Sequence, residues 1–236
     1  MSDPADGRPS ASGRFRHDVE EQRRLGQVPA DRLHLVRHGE VHNPTRVLYG
    51  RLPDFHLSDL GQQMAEAAAA SFDGREVTAL YSSPLERTQE SAAPWASRFG
   101  LEPTIENRVI EPANSFEGSN VRRQLRNPQK WALLVNPWLP SWGEPFASIS
   151  KRMMSAISDA WDLSEGGDVV IVSHQLPIWM AARMVAGQRL AHDPRRRRCT
   201  LSSITSLEKR GDRFVEVDYQ EPARDLLAQS IDLGAV

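Results

Sequence analysis

A chain of 236 residues, 25% of them charged and with a formal net charge of -2, is long enough to bury a core. It carries no bulk positive charge for nucleic acid or an anionic membrane, and its single cysteine, Cys199, excludes an internal disulfide and a cysteine-based metal cluster. No apolar stretch approaches the roughly 20 residues that span a bilayer, and the opening MSDPADGRPSASGR lacks a signal-peptide core, so a soluble, cytoplasmic protein is expected.

Residues 1 to about 13 are rich in Ser, Pro, Gly, Ala and Asp and cannot bury enough apolar surface to offset their ordering entropy. The next segment, HDVEEQRRLGQVPADR, predicts a short charged helix that Pro29 stops, so residues 1–31 read as a flexible N-terminal extension. A first strand, Leu33 to Val36, runs straight into Arg37-His38-Gly39-Glu40. From Ser58, SDLGQQMAEAAAASF reads as a helix with Ser58 as N-cap and Met64, Ala67, Ala68 and Phe72 on one face. A strand at Val77 to Tyr81 follows, and Ser83 as N-cap with Pro84 at the first helical position opens the next helix, which puts Arg87 in its first turn.

Between residues 102 and 145 the periodicity breaks down and Pro, Asn and Trp accumulate, as expected of an irregular lid inserted over a site. Phe146 to Trp161 predicts a helix, Val169 to Val172 a strand that runs into Ser173-His174, and Pro177 to Val185 another helix. Thr200 to Lys209 and Arg213 to Tyr219, joined by Arg210-Gly211-Asp212, predict a hairpin at one sheet edge. This order implies an α/β fold: a three-layer sandwich with a mostly parallel, doubly wound sheet, helices on both faces and a lid insertion. One domain over residues 32–222 is expected, with residues 223–236 as a C-terminal tail.

Two histidines, His38 and His174, thus stand at the carboxyl ends of strands, where open α/β sheets bind ligands. Either one alone is more simply a hydrogen-bonded structural residue. Together with Arg37 and Arg87 they form a costly concentration of positive charge unless an anion normally neutralises it. Guanidinium forks match phosphate oxygens, and a helix N-terminus adds backbone donors, so a phosphoryl group fits better than a simple carboxylate. One imidazole can take that group covalently while the other donates to its oxygens.

The chain resembles the histidine phosphatase superfamily, in its phosphoglycerate-mutase-like branch, over roughly Leu33 to Tyr219. The resemblance rests on three elements in order: Leu35-Val36-Arg37-His38-Gly39-Glu40, then Ser82-Ser83-Pro84-Leu85-Glu86-Arg87 with Ser91-Ala92, then Val170-Ile171-Val172-Ser173-His174. It implies that His38 becomes a phosphohistidine, that Arg37, Arg87 and His174 form the phosphate pocket, and that no metal or other cofactor takes part. A carboxylic acid from the insert would protonate the leaving oxygen and then activate water. Glu111 best matches the family acid, with Glu117 as its companion, for which a turn contact is preferred although the reverse assignment stays open.

Departures from the pattern also carry expectations. Asn43 and Gly50 each come one residue early after His38, which a single deletion explains, so Asn43 is kept as a phosphate contact. Gly39, Gly50 and Gln175 are expected at the substrate, and Gln175 stands where relatives have Gly, which should narrow or repolarise the pocket. Glu144 resembles a helix-start carboxylate of the family, with capping and catalysis both open. Arg195 to Arg198 could recruit a polyanionic substrate but read more simply as a solvated basic loop or an oligomer contact, and Trp131, Trp138 and Trp142 as either a pocket for a bulky leaving group or packing.

The expected activity is metal-independent hydrolysis of a small phosphomonoester through phosphohistidine, without nucleic-acid or membrane partners and with homo-oligomerisation open. A phosphoglycerate-type mutase is the nearest rival, although the segment Asn107 to Asn120 does not resemble the mutases' Glu-Arg-His-Tyr-Gly stretch. A low-turnover phosphate-binding regulator is the rival from another class.

Overall fold

The computed structural model describes residues 29–114, 117–118 and 143–232. The readings of the N-terminal extension up to residue 28, of most of the lid and of Trp131, Trp138 and Trp142 lie outside the described residues.

Strand β1, Arg32–Arg37, pairs in parallel with β4, Asp168–Ser173, residue by residue from Arg32↔Asp168 to Arg37↔Ser173. On its other side β1 pairs antiparallel with β5, Ile204–Arg210, which forms a hairpin with β6, Arg213–Gln220. Strand β2, Val77–Ser82, joins β4 in parallel, and β3, Thr104–Ile105, joins β2, giving a six-stranded sheet in the order β3-β2-β4-β1-β5-β6. Four adjacent strands are therefore parallel and the predicted hairpin closes one edge.

Successive strand residues face opposite sides of a sheet, and the core divides accordingly. Leu33 and Leu35 of β1 and Val169 and Ile171 of β4 join Met153 and Ile157 of helix α3, Phe146–Asp162, and Ile178 and Ala181 of helix α4, Gln175–Val185. Val36, Val170 and Val172 instead join Ala68 and Ala69 of helix α1, Asp59–Ala70, together with Phe72, and Ala92 and Trp95 of helix α2, Glu86–Phe99. Burial on both sides is why Val169-Val170-Ile171-Val172 reads as an unbroken apolar run rather than an alternating one.

The structure shifts several predicted boundaries. Ser58 caps α1 as expected, its Oγ accepting from the Gly61 N–H at 3.0 Å. Ser83, however, does not cap α2, which starts at Glu86 with Leu85 as N-cap, because the Ser83 hydroxyl is engaged with His174 instead. Arg87 remains in the first turn. Helix α4 starts at Gln175, earlier than Pro177 suggested, since a proline in the first turn displaces no intrahelical donor. Residues 200–203 form a turn with Ser202 at φ 53°, so β5 starts only at Ile204. Within the stretch expected to be irregular, the exposed two-residue β3 and a 3-10 turn at Asn107–Val109 lead the chain back to the strand ends. After β6 a single helical turn, α5, Arg224–Leu227, docks through Ala223, Leu226 and Leu227 onto Met64 and Leu201.

Candidate active site

The carboxyl ends of β2, β4 and β1, which are neighbours in the sheet, bring Ser83, His174 and His38 together. The backbone fixes these positions: Ser83 N–H donates to Val172 O at 3.0 Å, His38 N–H to Ser173 O at 3.1 Å, and Ser202 N–H to His38 O at 3.2 Å. The two histidine rings lie 5.3 Å apart between centroids at an interplanar angle of 63°.

Nδ1 of His38 is 2.7 Å from the Gly39 carbonyl oxygen. A carbonyl oxygen can only accept, so Nδ1 carries the proton and the lone pair of the neutral ring sits on Nε2. Burial, then the guanidiniums of Arg87 and Arg37, hold this histidine well below its ordinary range, which keeps the ring neutral at physiological pH. His174 is also held well below it, by burial first, then by Arg87 and His38. Its Nε2 meets Ser83 Oγ at 2.8 Å, while its buried Nδ1 lies 3.8 Å from a carboxyl oxygen of Glu111.

Arg37 and Arg87 are both buried, at 1% and 0% exposure, which is exceptional for a charged side chain. Arg87 donates from Nη2 to the Gly50 carbonyl at 2.6 Å and lies 4.7 Å from the centroid of the Tyr49 ring. Its Nε and Nη1, and Nε of Arg37, have no hydrogen-bond partner among the described residues. Buried donors of this kind cost about 1–3 kcal/mol each, so the site is built around an acceptor with several oxygens. Arg37 donates from Nη1 to the Cys199 carbonyl at 2.7 Å, and its fork faces the carboxylate of Asp232 at 2.7 and 2.6 Å.

Glu111 is 8% exposed, and burial pushes its carboxyl up to about 7 despite the opposing pull of Arg87, Arg197, Arg37 and Arg152. Its backbone carbonyl accepts from Nε of Arg51 at 2.5 Å. A carboxylic acid tuned close to neutral pH can both give and take a proton there.

The remaining predicted residues are each held by hydrogen bonds of their own. Asn43 engages both ends of its carboxamide in its own loop, Nδ2 donating to Val47 O at 2.8 Å and Oδ1 accepting from Val47 N–H at 3.2 Å. Gly39 donates its N–H to Ser91 Oγ, and a Cβ there would stand 2.3 Å from the Gly61 carbonyl oxygen, so the His38 loop and the start of α1 touch backbone to backbone. Gly50 adopts φ +43° and offers its carbonyl to Arg87. Gln175 donates to the Cys199 carbonyl at 3.3 Å and accepts from Arg197 at 3.5 Å, and therefore lies beside Arg37, which shares that carbonyl. Glu117 accepts from the backbone N–H of Asn114, three residues earlier, and from that of Arg51, 66 residues away. Glu144 is engaged by Arg152 and Ser148 near the start of α3.

The basic run divides. Arg195 pairs with Asp193, Arg198 with Glu216, and Arg197 turns inward to His192 and Gln175. Cys199 is buried with its thiol pushed up to about 11, no condition for a nucleophile. Sequence reasoning missed Arg51, whose Nε meets the Glu111 carbonyl, the inward-facing Arg152 and Arg197, the partnership of Ser83 with His174, and Asp232. Only Ser83 had a local signal, its place directly after a strand.

Comparison with known proteins accords with this geometry. The profile of the Histidine phosphatase superfamily (branch 1) matches residues 33–222. The uncharacterized protein Rv0525 of Mycobacterium tuberculosis (strain ATCC 25618 / H37Rv) is 50% identical over 194 residues, covering 81% of this chain and 96% of that protein. The probable phosphoglycerate mutase GpmB of Yersinia pestis (strain Pestoides F) is 29% identical, over 80% of this chain and 85% of its own length. Among solved structures, a mutant phosphoserine phosphatase of Entamoeba histolytica in complex with phosphoserine superposes with a TM-score of 0.68 at 23% identity, covering 81% and 97% of the two chains. The chain belongs to the histidine phosphatase superfamily, branch 1, and is an enzyme of the histidine phosphatase type. Among the described residues no helix is long and apolar enough to cross a membrane.

Proposed function

We propose that this protein is a metal-independent phosphomonoesterase that hydrolyses a small phosphorylated metabolite through a phosphohistidine. The observation that carries this reading is the Nδ1 contact of His38 with the Gly39 carbonyl, which leaves a lone pair on Nε2 in a ring kept neutral. The lone pair attacks phosphorus, the P–N bond forms and the P–O bond to the alcohol breaks. Arg37, Arg87 and His174 hold the phosphoryl oxygens and stabilise the charge spread over them in the transition state. Glu111, protonated in part at neutral pH, gives its proton to the departing oxygen. The resulting carboxylate then takes a proton from water as the water oxygen attacks phosphorus, the P–N bond breaks, and inorganic phosphate leaves with His38 restored.

Ser83 orients the His174 ring, Gly39 permits the close backbone approach to Gly61 beside His38, and Gly50 anchors Arg87. Asn43 shapes the loop between them, and Gln175 with Arg197 forms the wall beside Arg37. Residues 32–222 would form the catalytic unit, working in the cytoplasm. Release of inorganic phosphate from a panel of phosphomonoesters in the presence of EDTA, wild type beside His38→Ala, tests this. Turnover that disappears in the variant is expected, and turnover that persists removes His38 as nucleophile.

The 29% identity to a probable phosphoglycerate mutase favours one second reading, in which the phosphohistidine returns its group to a bound hydroxyl. Phosphoryl transfer between phosphoglycerates at a rate exceeding hydrolysis would establish it.

A further inference from the structure

Asp232 stands 195 residues from Arg37 in sequence, yet its two carboxylate oxygens accept from both terminal nitrogens of the guanidinium, at 2.7 and 2.6 Å. This two-point fork is the geometry a phosphoryl group would demand of the same side chain. The contact has a built approach. Helix α5 fixes the chain through Ala223, Leu226 and Leu227, Ser230 Oγ donates to Leu227 O at 2.9 Å, and the Ile231 N–H donates to Glu40 at 2.6 Å. Arg37 is 1% exposed and Asp232 37% exposed, so the carboxylate reaches in from the solvent side.

We propose that the C-terminal segment is a built-in competitor for the phosphoryl site, with Asp232 seated on Arg37 until an incoming phosphoryl group displaces it. The proposal rests on Arg37 being a phosphoryl ligand. The fit of the carboxylate is only partial: with Asp232 in place, Nε and Nη1 of the buried Arg87 still have no partner among the described residues. One carboxylate has two oxygens and a single charge, whereas a phosphoryl group has three terminal oxygens and up to two charges and can serve both guanidiniums. The stronger ligand therefore displaces the tethered weaker one. Every phosphoryl ligand then binds more weakly than to an open site, by the fraction of molecules in which Arg37 is free. The carboxylate also returns to Arg37 as inorganic phosphate leaves, which favours product release.

The test is calorimetric binding of inorganic phosphate to the full-length wild type and to the full-length Asp232→Ala variant, with hydrogen exchange of the C-terminal peptide followed on adding phosphate. Competition predicts roughly three- to tenfold tighter phosphate binding in the variant, and faster exchange at Ile231 in the wild type once phosphate is bound. Equal affinity in the two proteins overturns the proposal while leaving the phosphate site intact. Slower exchange also overturns it, since the tail would then close over the ligand. No phosphate binding to either folded protein removes the phosphoryl reading of Arg37 and the competitor with it.

Discussion

A carboxyl oxygen of Glu111 lies 3.8 Å from Nδ1 of His174, and both groups are buried. The surroundings push them in opposite directions: burial raises the carboxyl to about 7, while burial and the neighbouring guanidiniums hold the imidazole well below its ordinary range. Near neutral pH the pair is a partly protonated acid beside a neutral ring, the distribution that the proposed roles of Glu111 as proton donor and His174 as phosphoryl contact require.

The pH dependence follows. As the proposed acid, Glu111 would have to be protonated to assist a poor leaving group, so kcat/KM for an alkyl phosphate should fall above about pH 7, approaching tenfold per unit of pH. An ester of p-nitrophenol, whose leaving group needs no proton, should lack that limb, as should Glu111→Gln on either substrate. Parallel pH profiles for the two esters would exclude Glu111 as the acid.

Arg87→Ala should lower kcat/KM by about 100- to 1000-fold, the usual effect of removing one donor from a developing charge. Stability should not suffer in proportion, because two of the lost donors have no partner among the described residues and the lost charge is fully buried. Thermal unfolding without ligand is expected at an unchanged or higher temperature, with most of the stabilisation by added phosphate gone. A variant that unfolds on its own would instead make Arg87 a structural residue.

Ser83→Ala removes the hydroxyl that meets Nε2 of His174 but leaves the backbone bond of residue 83 to Val172 in place. One hydrogen bond contributes about 1 kcal/mol, so kcat should drop several-fold with little change in KM or melting temperature. A change in KM alone would contradict the positioning of His174 by Ser83.

Gly39→Ala would force a Cβ to 2.3 Å from the Gly61 carbonyl oxygen, a backbone atom that no rotamer change can relieve. About 1–3 kcal/mol of destabilisation is expected from the overpacking, with a larger loss of activity because His38 is the adjacent residue and would shift with the backbone. Denaturant unfolding beside kinetics separates the two effects, and an unaffected variant would show that the loop is free to move.

Much of this was legible in the chain. The apolar runs at Leu33 to Val36 and Val169 to Val172 mark β1 and β4 because both are buried, and the residues directly following them, His38 and His174, inherit their places from strand ends. Glu111 is legible only by resemblance, since it lies two residues beyond the 3-10 turn Asn107–Val109 in a stretch without periodicity. A Ser-Pro pair after a strand signals a helix start locally, so Ser83 reads as a cap, whereas its hydroxyl answers to a histidine 91 residues away. The pairing of Asp232 with Arg37 and the inward turn of Arg197 rather than Arg195 are tertiary facts with no local signature. The exposed pair Thr104–Ile105 is too short for any strand signal.

Transfer through Nε2 of His38 is tested most directly by rapid mixing of Glu111→Gln with p-nitrophenyl phosphate. The leaving group departs without an acid while hydrolysis of the phosphoenzyme is slowed. A burst of one nitrophenolate per active site is predicted, with the phosphoryl group recovered on the peptide containing His38 and no burst when His38→Ala is added. Linear release without a phosphopeptide, or a phosphoryl group on any other residue, would contradict it.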